Sequence, residues 1–453
     1  MRKHAEAVDK IRRRQPGQIR ACFASVIPDH LLAMSSGQRR RGFDCETTFW
    51  AFLGQSLRNG SCRDALLEVQ AARANADLEP LSASTSSYCT ARKERLSVET
   101  IRSVHEHVGN QLVDSSAQGW RWHGREVYAV DGTSVSLADT PENQESFPQP
   151  GGQKPGCGFP VMQLVGLFHL GSGALGDFQE SPWYAHENSV FYGLGLIDRL
   201  EPGSVLTADR AYCSFLNFAT LQGRGVDVVA RLHQARKPVF PKGSDETTVE
   251  WKRPAACQRP DYIADTDWES LPDSIRVRYI RVRIEVDGFR PSEIVLATTM
   301  MDISAEEIAE LFLRRWNMEL SFRDLKTTLG MDNLMVRTPE MGRKTVAMYF
   351  LAHNLVRWTM QQAAVEENVE LERLSFKGTL DILEHWKSGM EKRTKPGQRH
   401  AHWRKLLRHI SQDTNPDRPN RSEPRAVKRR PKKYQLLTKL RAEMKVSESR
   451  RQK

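Results

Sequence analysis

Between Glu126 and Leu232 the chain switches its apolar period again and again, and this alternation limits its fold more than any other feature. EVYAVDGTSVSL alternates apolar and polar residues, and FPVMQLVGLFHL, from Phe159, is an almost continuous apolar run. SVFYGLGLIDRL and SFLNFATLQGRG repeat every three to four residues, while PGSVLTADRAY and VDVVARL carry short β-rich runs. A period of two marks strands and one near 3.6 marks helices, so strands and helices must interleave. That pattern predicts an α/β core. The Asp131-Gly132 pair inside the first run predicts a strand, a tight turn and a second strand.

Regions of other character flank this core. Residues 1–118 read as helical: Asn59-Gly60-Ser61 breaks the chain before CRDALLEVQAARA, and Ser84 and Ser97 can each cap a following helix by accepting a free first-turn N–H. The helix after Ser84 carries Arg92, Lys93 and Arg95, which suits a helix-turn-helix-like DNA contact and equally a small bundle with a solvated basic face. Residues 233–300 are Pro-rich and then β-rich, with Asp287-Gly288 as a hairpin signal, and predict an all-β insertion. Ser304 and Glu307 form a capping box ahead of one long helix that Gly330 stops. The expected domains are therefore a helical N-terminal DNA-binding domain (1–118), a core (119–338) with its insertion, a helical C-terminal region (339–390) and a tail (391–453).

Charge concentrates in that tail. Residues 391–453 hold 21 Lys/Arg against 6 Asp/Glu, so of the chain's net +11 the first 390 residues contribute −4. A polyanionic partner fits such a block, as does a solvated tail. The seven cysteines are scattered and never spaced C-x-x-C, which argues against a disulfide framework and a zinc site. No stretch approaches the roughly 20 apolar residues that span a bilayer, and a cytoplasmic, nucleoid-associated protein is expected.

Three acids stand where secondary structure would present them together. Asp131 and Asp209 end strands and Glu319 lies mid-helix, each on a rigid element. Clustered carboxylates repel unless cations lie among them, and an all-oxygen set selects Mg²⁺, with Mn²⁺ as substitute. Taken singly, Asp131 is also an ordinary turn residue and Asp209-Arg210 an ordinary ion pair. Around Glu319, the residues Phe312, Arg315, Phe322 and Lys326 recur every three or four positions and predict one shared face. Cations interleaved with aromatics suit DNA phosphates and bases, and also describe a plain surface stripe.

The run Arg315-x3-Glu319-x6-Lys326 resembles the Y-x2-R-x3-E-x6-K signature of the insertion sequence 4 family of DDE transposases. AVDGTSVSLADTPEN and VLTADRAYCSF are similar to that family's two aspartate motifs, and NGSCRDAL, SSYCTARKERL and KRRPKKYQLLTK to further segments. The chain departs from the signature in having Phe312 where the family has tyrosine. The resemblance implies a ribonuclease H-like core with the β insertion after the second aspartate. It further implies cut-and-paste transposition by a dimer holding two transposon ends, through a hairpin whose flipped base stacks on aromatics. Two Mg²⁺ ions would be held by Asp131, Asp209 and Glu319, and DNA by Arg315, Lys326, Phe312 and Phe322. Arg210, Arg92 and Lys93 are further candidate DNA contacts, and Trp251 is a candidate stacking platform. The partners expected are double-stranded transposon ends and target DNA, with no membrane. A nuclease or resolvase on the same fold, or a decayed copy that only binds DNA, are the rival readings.

Overall fold

The computed structural model describes residues 18–33, 43–284, 292–393, 395–416, 437–440 and 443. Its strands are β1 (Val127–Leu137), β2 (Val161–His169), β3 (Leu175–Pro182), β4 (Val205–Ala208), β5 (Asp227–Arg231), β6 (Glu246–Lys252), β7 (Ser274–Ile284), β8 (Ser292–Thr298) and β9 (Asn333–Leu334). They form one mixed sheet in the order β3-β2-β1-β4-β5-β8-β7-β6, with β9 beside β1. The β1–β2 and β2–β3 pairs are antiparallel, whereas β4, β5 and the short β9 run parallel to β1.

The turn expected at Asp131-Gly132 is not there. β1 passes straight through both residues, paired with β2 from Tyr128↔His169 to Ser136↔Val161. The unbroken ladder with β2 pairs both residues, and it outweighs the local turn preference of Asp-Gly. The region 233–300 also differs from an independent all-β insertion. β8 pairs antiparallel with β5, so β6–β8 extend the core sheet itself, and a short helix at Asp265–Ser270 buries Trp268 between them. The hairpin expected at Asp287-Gly288 lies outside the described residues.

The helices are α1 (Gln18–Phe23), α2 (Asp29–Ala33), α3 (Cys45–Leu57), α4 (Cys62–Asn75), α5 (Thr85–Glu94), α6 (Val98–Asp114), α7 (Pro141–Ser146), α8 (Glu187–Gly193), α9 (Phe215–Gly223), α10 (Asp265–Ser270), α11 (Ala305–Arg314), α12 (Trp316–Arg323), α13 (Pro339–Glu366), α14 (Phe376–Lys392) and α15 (Pro396–Gln412). Helix α13 starts on the Thr338 cap with Pro339 in its first turn, and it is apolar around most of its circumference. Such a helix must be surrounded. α6, α3, α14 and α15 pack on it, and together they cover the sheet face bearing Val135, Leu137, Phe168 and Phe178. The opposite face, with Val130, Val165, Leu206 and Val228, is closed by α8, α9 and the β6–β8 extension.

Lys344 fastens the N-terminal helices to this core: fully buried on α13, its Nζ donates to the carbonyl oxygens of Arg92 (3.2 Å) and Lys93 (2.7 Å) at the end of α5. Cations favour helix C-termini, where carbonyls lack partners. The basic segment expected as a tail from residue 391 begins instead with α15, which buries Leu406, Leu407 and Ile410. All seven cysteines are free. Among the described residues no helix is long and apolar enough to cross a membrane.

Candidate active site

Asp131 and Asp209 are brought together by strand register. In the parallel β1–β4 pair Val130 faces Ala208, so the next residue of β1 and the residue just past the end of β4 carry carboxylates side by side. Asp131 thus lies within β1 and not at its end, with its Oδ1 accepting the Gly132 N–H at 2.9 Å. Its carboxyl is pushed up to about 6, first by burial and then by the nearby carboxylates of Glu187 and Asp209, against the lowering effects of the Gly132 N–H and Arg315.

Glu319 arrives from the other side. The long helix expected after Ser304 begins on the predicted Ser304/Glu307 capping box but bends at Arg315, dividing α11 from α12, and passes into a π-helical turn at Asp324–Thr328. At the bend the Arg315 guanidinium, 8% exposed, reaches Asp131 Oδ2 through Nη1 (3.4 Å) and Glu319 Oε1 through Nη2 (3.5 Å). One cationic group therefore spans two of the three acids. Lys326, in the π turn, pairs with Asp332 at 3.7 Å and borders a cavity of about 340 Å³ with Gly132, Ser134, Gln163, Trp183 and Glu187.

The expected DNA-facing aromatics lie elsewhere. Phe312, 8% exposed, packs with Val205, Val229 and Leu296, its ring 5.5 Å beneath the Arg315 guanidinium. Phe322 is equally buried, edge-on to Phe168. The single face predicted for these residues is divided by the bend, and the apolar rings turn to the core because burial rewards them most. Trp251, 3% exposed, is packed against Phe218, donates to the Tyr279 hydroxyl at 2.7 Å and has Arg236 over its ring. It is a core residue and no platform. Arg92 lies over Phe52 and Tyr88 and donates to Gln55 and Cys62, so its guanidinium is spent within the N-terminal bundle; Lys93 and Arg210 are exposed.

Sequence reasoning missed two features. Glu187, at the start of α8, stands against Gly132, where any Cβ would collide with its carboxylate; it also adjoins the buried Tyr212 hydroxyl. Nothing in HENSVFYG marks it, because the contact exists only across the sheet. Trp183 (38% exposed) offers aromatic surface in the same cavity, with the exposed ring of Tyr184 set edge-on to it.

Among the described residues no three His, Cys, Asp or Glu groups are gathered closely enough to enclose an ion. The donors nonetheless suit a hard cation: two acids at the same level of the sheet, a partly buried carboxyl raised to about 6 first by burial and then by its acidic neighbours, and a third acid already joined to the first through a positive group.

The family model described as Transposase DDE domain matches residues 122–355, just over half of the chain. The transposase InsG for insertion sequence element IS4 of Escherichia coli (strain K12) is 25% identical over 349 residues, which cover 76% of each protein. A probable transposase for insertion sequence element IS5377 of Geobacillus stearothermophilus is 33% identical over 103 residues, 22% of this chain and 27% of that one. Among solved structures, a piggyBac transposase synaptic complex with hairpin DNA aligns with a TM-score of 0.42 at 10% identity, covering 87% of this chain and 84% of its own. With the family match spanning both aspartates and Glu319, the chain belongs to the DDE transposases of the insertion sequence 4 family.

Proposed function

We propose that this protein is a cut-and-paste transposase that cleaves the ends of its own element and joins the freed 3′-hydroxyls to target DNA. The observation that carries the reading is the level placement of Asp131 in β1 and Asp209 just past the parallel β4, with Arg315 linking Asp131 to Glu319. The strand order β3-β2-β1-β4-β5 supports a ribonuclease H-like core, extended rather than interrupted by β6–β8. Asp131, Asp209 and Glu319 would hold two Mg²⁺ ions, for which Mn²⁺ can substitute. When bound, such a pair supplies activation of the attacking oxygen and stabilisation of the leaving one during in-line displacement at phosphorus.

The chain's own residues do the rest. Arg315 exchanges its carboxylate partners for a phosphate oxygen as the DNA end enters, since a guanidinium binds either anion through the same N–H fork. Lys326 holds a neighbouring phosphate from the π turn. A hairpin intermediate would place an unpaired base near the cleavage point, and Trp183, not Trp251, is the aromatic surface within the site's own cavity. The protein acts as a dimer on two double-stranded ends, at the nucleoid.

The test uses duplexes carrying the inverted repeats that flank the gene, incubated with purified protein, Mg²⁺ and a supercoiled plasmid. Covalent joining of duplex to plasmid is expected. Cleavage without joining would assign a nuclease or resolvase, and binding with neither would assign a decayed copy.

A further inference from the structure

A strip of cations starts where the two aspartates stand and lies outside the family signature. In the β4–β5 ladder Ala208 faces Ala230, which sets Arg231 at the level of Asp209 and therefore of Asp131 two strands away. From Val228 to Ser244 the chain carries Arg231, Arg236, Lys237 and Lys242 and no Asp or Glu. Arg231, Lys237 and Lys242 are exposed, and none of them pairs with an acid among the described residues. The strip is held in place. Arg210, beside Asp209, donates to Gln234 at 3.5 Å, and Arg236 lies 3.6 Å over the buried ring of Trp251. Four cations between residues 231 and 242 with no acid among them form a surface of one sign, whose mutual repulsion a polyanion lying along it would relieve.

Lys326 and its cavity border β1 on the β2 side, whereas this strip starts at Arg231 beside β4–β5 and continues over β6 and β7, where Arg236 lies over Trp251 and Arg281 over Phe240, on the other side of β1. A phosphate at Asp131 therefore has cations to both flanks. We propose that residues 231–242 form a second backbone contact, gripping the duplex on the side of the scissile phosphate opposite Lys326. The proposal rests on the transposase reading and adds to it the path of the DNA across the sheet.

The test compares full-length wild type, K237Q/K242Q and K237R/K242R for binding of an end duplex over a range of salt. Each phosphate contact contributes about 0.9 to the slope of log affinity against log salt, so the Gln variant should lose about 1.8 and the Arg variant nothing. The ratio of end to unrelated duplex should stay constant, because phosphate contacts carry no sequence information. In parallel, DNA should protect Lys237 and Lys242 from acetylation. An unchanged slope in K237Q/K242Q, or undiminished acetylation, overturns the proposal while leaving the transposase reading intact. Failure of the wild type to bind the end at any salt would overturn both.

Discussion

The raised Asp131 carboxyl makes a stability prediction whose sign can be worked out. Its ordinary value of 3.8 moves to about 6, with burial as the main cause. A folded-state value above the unfolded one means that the folded protein holds the proton more tightly. The ionised group therefore costs stability progressively as pH rises from about 4 to about 6, and the full cost persists above that. At 1.36 kcal/mol per unit the cost is about 2 to 3 kcal/mol, with little discount for solvent because the side chain is only 25% exposed. Asp131→Asn removes the charge at nearly constant shape. In EDTA near pH 8 the variant should be more stable than wild type by about 2 to 3 kcal/mol in urea unfolding, and near pH 4 the two should coincide. Mg²⁺ should erase the advantage, since only the wild type gains from binding it. An Asn variant that is less stable at pH 8, or whose difference from wild type does not change with pH, would refute the reasoning.

Four further outcomes are expected. Asp131→Ala, Asp209→Ala and Glu319→Ala should each abolish end cleavage while end binding in gel-shift assays stays within a few fold, since the phosphate-binding cations remain. Gly132→Ala should abolish cleavage and lower the melting temperature, because its methyl meets Glu187 inside an unbroken strand. Trp251→Ala should cost about 3 to 5 kcal/mol in chemical denaturation without a specific loss of affinity in the folded fraction, as for any large buried aromatic. Removing residues 417–453, a cut placed after the packed helix α15, should flatten the salt dependence of DNA binding; an unchanged slope would mean that this segment does not touch DNA.

What the sequence disclosed was mostly local. Ser84, Ser97 and Ser304 cap the helices they were expected to cap, because a hydroxyl and a first-turn N–H lie within three residues of each other. The three acids were picked out by their motifs, but the strand end expected at Asp131 is instead the interior of β1. Where outcomes depended on distant partners, local rules failed. Asp131-Gly132 has the composition of a turn but is held extended by its ladder with β2, and Phe312, Phe322 and Trp251 share a composition with DNA-facing aromatics while packing decides which way they point. The bend at Arg315 leaves no composition signal, yet it lets one guanidinium span Asp131 and Glu319. Glu187 reaches Gly132 only after β1 and α8 have met.

The central claim is that Asp131, Asp209 and Glu319 form one metal-dependent centre on bound DNA. It is tested most directly by counting Mn²⁺ by electron paramagnetic resonance on protein saturated with an end duplex. Two ions per protomer are expected for the wild type, and at most one for each of Asp131→Asn, Asp209→Asn and Glu319→Gln. An unchanged count in any of the three variants would contradict the account.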